Sequence, residues 1–126
     1  MNTICPSATK EKVDLQRSLN IITNQEALSD SAHGARAKLI EKYIGGDDFA
    51  LDKLVLLNKQ TKAENIPMTY KQRQFLQNQL TTAKESAADA RERVGTNPEK
   101  LAAIDMMEKR VNTIYGVAIN QSVQKP

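Results

Sequence analysis

Apolar and small residues recur along the second half of the chain with the rhythm of a helical seam. Leu76, Leu80, Ala83, Ala87, Ala90 and Val94 are separated by alternating steps of four and three residues. After a short break the rhythm resumes at Ile104, Met107, Val111, Ile114 and Ala118. Such spacing places one apolar edge along each of two helices, and two edges of this kind bury each other. The residues between them read as a turn. Gly95 can take the positive φ that closes a helix. Thr96, Asn97, Pro98 and Glu99 then offer a capping side chain, a first-turn proline and an acid suited to a capping box. Near this turn the first helix presents alanines and the second presents Ile104 and Met107, a pairing that predicts close approach of the two backbones.

The first half carries shorter periodic segments. A helix is expected over residues 9–28, with Leu15, Leu19 and Ile22 as its stripe and Val13 and Ile21 broadening it. Ser29-Asp30-Ser31 reads as an interruption, since each of these side chains can cap a following helix. A second helix then carries Ala32, Ala35, Leu39, Ile40, Tyr43 and Ile44 inward and ends at Gly45-Gly46. Asp47 and Asp48 open a third, where acids suit the positive end of the helix dipole. Its residues Phe49, Ala50, Leu51, Leu54, Val55, Leu56 and Leu57 are apolar nearly all round, which predicts the most buried element. Ile66-Pro67 breaks the connector that follows, because the residue before proline avoids the helical region. Thr69-Tyr70-Lys71-Gln72 has the form of a capping box and starts the long hairpin. The expected fold class is therefore all-α: a five-helix bundle, with three shorter N-terminal helices packed on a long C-terminal antiparallel hairpin. One domain over residues 1–126 is expected, with 1–8 and 122–126 flexible.

Composition supports helices. Aromatic residues make up 4% and Trp is absent, so the core must be built from aliphatic side chains, Ala and Met. The net charge is +3 and evenly spread: nine basic and eight acidic residues in 1–63, nine and seven in 64–126. No basic tail of the kind that marks a nucleic-acid or membrane partner is present. Cys5 is the single cysteine, which excludes an intramolecular disulfide and a multi-cysteine metal site. The first residues lack a charged region followed by an apolar run, and no window has the length and apolarity of a membrane span. A cytoplasmic location is expected. Export without a cleaved signal is compatible with the uncharged, Ser/Thr-bearing start.

Residues suited to catalysis are few. His33, the sole histidine, has no Cys, Asp or Glu at ligand spacing and reads as a polar residue in a first helical turn. Cys5 falls in the expected flexible lead-in, which gives a thiolate no fixed electropositive surroundings. Asp47, Asp48 and Asp52 lack the alternation, central glycine and closing Glu of a calcium loop. Glu85, Asp89, Arg91, Glu92 and Arg93 read as a solvated, charge-paired face. Asp89 with Arg93 and Asp105 with Lys109 sit at helical pair spacing. No catalytic residue, cofactor loop or metal set is assigned, and an enzyme is not expected. The leading expectation is a non-enzymatic protein-binding module of bacterial or phage type: an adaptor, an inhibitor or a chaperone. It would bind a protein partner or a second copy through Phe75, Met106 and Tyr115. The alternative is a nucleic-acid-associated protein using the basic connector around 53–73. There Lys53, Lys59, Lys62, Lys71 and Arg73 lie among Ile66, Met68, Tyr70 and Phe75. The same segment also reads as a solvated loop with core anchors.

Overall fold

The computed structural model describes the backbone of residues 6–120 and the side chains of residues 24–120. Among the described residues there are four helices and no strands: α1 (Pro6–Ile44), α2 (Phe49–Ala63), α3 (Tyr70–Val94) and α4 (Pro98–Asn120). The all-α class stands, but the count of five does not. The two N-terminal helices expected over 9–28 and 32–44 are one continuous helix of 39 residues, about 58 Å long at 1.5 Å per residue. It begins at Pro6, ahead of the expected start. The Leu15, Leu19 and Ile22 stripe, Cys5 and the segment 122–126 lie outside the residues whose side chains are described.

The reason for the continuity is tertiary. The capping tendency of Ser29-Asp30-Ser31 is worth only about 1 kcal/mol, and here the Ser29 and Asp30 side chains are used elsewhere. Ser29 is buried, and its hydroxyl is shared between the Pro67 carbonyl and Gln72 Oε1, each at 3.2 Å. Asp30 accepts from Gln72 Nε2 at 3.3 Å. With the hydroxyl and the carboxylate occupied across a helix interface, neither competes for the local backbone, and α1 runs through.

Helix ends elsewhere follow local rules. Beyond Ile44 the Asp47 N–H donates to Lys42 O and the Gly46 N–H to Tyr43 O, a closing pattern that needs the positive φ of 113° held by Gly46. The end of α2 repeats it with Asn65, at φ 56°, in the glycine position, and with Ile66 N–H donating to Thr61 O. Ile66 and Met68 are then buried as core anchors of the connector. At the start of α3, Thr69 Oγ1 accepts from Gln72 N and Gln72 Oε1 accepts from Thr69 N, completing the expected box. At the α3–α4 turn Gly95 has φ 63°. Asn97 caps α4 by accepting from the N–H groups of Glu99 and Lys100 at 3.1 and 3.2 Å. With Asn97 as the cap, Glu99 is one residue short of the position that closes a box.

The helices pair as two hairpins, α1 with α2 and α3 with α4, and α4 also packs on α1 and α2. The buried core joins Ile40, Leu54, Met68, Leu76, Val111, Ile114, Tyr115, Ala118 and Ile119. Asn58 Nδ2 donates to Val117 O and ties α2 to α4. α2 is not buried all round. Ala50, Leu54, Asn58 and Thr61 face inward, while Phe49 and Leu56 stay exposed because nothing among the described residues covers their side of the helix.

Two substitutions check this frame. Gln72→Ala removes the box and the bonds to Ser29 and Asp30, and should cost about 2 kcal/mol in urea unfolding. Gly116→Ala should stabilise by up to about 1 kcal/mol, since a Cβ there meets nothing within 4 Å. A loss of stability in the second variant would mean α4 is packed more tightly there than described.

Candidate functional site

The α3–α4 seam changes character along its length. At the connector end Leu76, Ile114 and Ala118 are fully buried. Toward the Gly95 turn the alanines of α3 are too small to fill the space opposite Ile104 and Met107. A recess of about 260 Å³ remains, lined by Ile44, Ala83, Ala87, Ala90, Ile104 and Met107 among others. Small residues facing large ones thus leave an apolar hollow instead of a filled seam. Met107, which lines the hollow, is 58% exposed, and Met106, next along α4 but outside the lining, is 69% exposed.

The hollow is framed by charge. Arg91 reaches across the hairpin to Asp105 at 2.8 Å and Glu108 at 2.7 Å. These bonds, the one to Asp105 foremost, raise the pKa of the guanidinium further. The described ion pairs are therefore between helices, and neither Asp89–Arg93 nor Asp105–Lys109 is among them. Arg110, outside the lining, ties α4 to the α1–α2 corner. Its Nε donates to Tyr43 O at 2.7 Å, its Nη1 pairs with Asp48 at 2.7 Å, and its guanidinium lies 3.9 Å from the Tyr43 ring centroid. The three acids read as a cluster have separate tasks. Asp47 Oδ1 accepts from Phe49 N, Asp48 pairs with Arg110, and Asp52 is exposed.

The three anchors expected from the sequence part company. Met106 is exposed on α4, on a different side of the helix from the residues that line the hollow. Phe75 is 48% exposed on α3 and stands edge-on to His33, ring centroids 5.6 Å apart. Tyr115 is only 6% exposed, its hydroxyl donating to Gln79 Oε1 at 3.2 Å, and burial pushes its pKa up. It is a core residue, because its place on α4 follows Ile114 into the bundle. The basic set also disperses. Lys53 and Lys62 lie on opposite sides of α2, Lys59 and Lys71 are exposed, and Arg73 is half-buried with an unpartnered Nε. Ile66 and Met68, expected to share that surface, are inside the core.

Sequence reasoning missed Arg36. It occupies the inward stripe of α1 between Ala32 and Ile40 and is 2% exposed, with Nε and Nη1 buried and without a hydrogen-bond partner. Burial lowers its pKa. The signal was available: Arg36 falls at helical spacing between Ala32 and Ile40, both members of the stripe assigned inward, with Ser29 and Tyr43 continuing the same line. His33 lies mid-helix, not in a first turn. Its pKa is lowered by burial first and by Arg36 second, against a smaller upward pull from Asp30. Among the described residues no group of three or more His, Cys, Asp or Glu side chains could hold a metal ion. None of the described helices is long and apolar enough to cross a membrane.

No family model, curated protein or solved structure matches the chain.

The buried polar groups have measurable consequences. Arg36→Met keeps roughly the volume and removes a buried guanidinium two of whose nitrogens lack a hydrogen-bond partner, so stability should rise by about 1 kcal/mol or more; an unchanged or lower melting temperature would show that the guanidinium is satisfied in solution. Burial holds the His33 pKa in the fold below that of the unfolded chain, which takes up a proton at about pH 6.5. Stability should therefore fall as pH drops through about 6.5, levelling off below the folded-state pKa. His33→Phe should flatten that part of the stability profile between neutral pH and the carboxylate range.

Proposed function

We propose that the chain is a non-enzymatic protein-binding module of the adaptor, inhibitor or chaperone kind, contacting its partner with the outer half of the α3–α4 hairpin. The observation that supports this most is the apolar hollow with Met107 exposed in its lining, together with Met106 exposed on a neighbouring face of the same helix. Methionine side chains are unbranched and adaptable, suited to filling an irregular complementary surface. The hollow offers a depression for a partner side chain, and the Arg91–Asp105–Glu108 bridge sets a polar rim beside it, the arrangement of core and rim found at protein interfaces. The partner is a second copy or a different protein. The nucleic-acid reading is weaker, since the basic residues of 53–73 do not form one stripe and the apolar residues among them include buried core anchors.

Sedimentation velocity tests the second-copy case directly. Affinity capture from the source cell, at low and high salt, tests the other. Met106→Ala and Met107→Ala should each weaken the contact by about 2 kcal/mol, the scale of an interface anchor, with little change in melting temperature. Binding that persists unchanged in the double variant would remove the hairpin tip as the contact surface.

A further inference from the structure

A second open face lies on the α1–α2 hairpin, on the side of α1 away from the hollow. It is a shallow groove of about 400 Å³ whose lining combines Leu39, Leu56 and Leu57 with Lys38, Lys42 and Lys53. Leu56 is 62% exposed there. Lys38 and Lys42 are one helical turn apart on the same face of α1, so their ammonium groups repel, and Lys53 approaches from α2. No acidic side chain lines the groove. The ion pairs among the described residues use Arg91 and Arg110, so the three lysines have no counter-charge from these residues. The face combines apolar and positive side chains.

We propose that this groove docks an acidic amphipathic helix of a partner protein, its apolar residues on Leu39, Leu56 and Leu57 and its carboxylates against Lys38, Lys42 and Lys53. Charge complementarity names the sign of the occupant, and shape names its form. The segment from Ala35 to Lys42 covers two helical turns, about 10 Å, the span over which a docked helix sets anchors at i, i+3, i+4 and i+7. The groove is open along its length, so an acyl chain laid in it would stay wet. No aromatic side chain lines it, which leaves no platform for stacking a base.

The probe is a fluorescein-labelled, side-chain-stapled helical peptide with Leu at i, i+3, i+4 and i+7 flanked by Glu. One control replaces Glu by Lys, and another permutes the residues so that the apolar face is lost. With the full chain at low salt, the acidic peptide should bind at least about tenfold more tightly than either control. Its affinity should weaken as salt screens the lysines. Amide shifts in two-dimensional NMR should fall on α1 and α2 around the groove. The charge-reversed variant K38E/K42E/K53E should invert the preference toward the Lys peptide. These side chains are exposed and make no described ion pair, so its circular dichroism melt should match the parent. Should it fail to fold, the single variant Leu56→Asp at an exposed position should weaken the acidic peptide by about tenfold. Equal binding of the acidic and permuted peptides overturns the proposal. So does a preference unchanged by charge reversal, a set of shifts at the hairpin tip, or capture of phosphatidylserine vesicles but not of the peptide. The hairpin-tip proposal is untouched by these results, because its variants lie on other helices.

Discussion

The arrangement depends on a single amide. Gln72 begins α3 by completing its capping box, and from the same side chain it holds Ser29 and Asp30 in the middle of α1. Aliphatic helix faces pack in several registers of similar energy, since ridges of one helix fit more than one groove of the next. A buried amide with named partners has far fewer acceptable positions, because each displaced bond leaves a polar group without water. Gln72 therefore sets where along α1 the second hairpin begins. It also explains how a Ser-Asp-Ser run can lie inside a helix.

What could be read from the chain was what is settled within a few residues. The Thr69–Gln72 box, the glycine closures at Gly46 and Gly95 and the paired stripes of α3 and α4 are local, and each is legible as such. The misreadings share a cause. Ser29-Asp30-Ser31 has the appearance of a cap until Gln72 is known to be opposite. α2 is apolar around most of its circumference, but whether Phe49 and Leu56 are covered depends on how many helices surround it, and there is one fewer than the pattern suggested. For the surfaces, Met106 and Phe75 were legible as apolar residues off the seam, whereas Tyr115 was not separable from them by spacing. Lys53 was singled out with its sequence neighbours, although its companions in space, Lys38 and Lys42, belong to another helix.

The two open faces differ in physical character, and the difference follows from side-chain size. On the hairpin, alanines opposite Ile104 and Met107 create a hollow whose lining is almost wholly apolar, so contact there is governed by shape and by displacement of water. On α1–α2, leucines between lysines give a face whose attraction acts at longer range and fades with ionic strength. A protein carrying both can respond to salt at one surface and remain indifferent at the other.

Arg110 has a consequence for the order in which the molecule assembles. Each hairpin closes through contacts between neighbouring helices joined by a short turn, and such local closure is fast. Arg110 belongs to the second hairpin, yet its carbonyl, carboxylate and ring partners all lie in Tyr43 and Asp48, at the corner of the first. These bonds can form only after the two hairpins have met. The guanidinium thus latches a docking step, and a disturbance of it acts on the rate at which the halves separate more than on the rate at which either one folds.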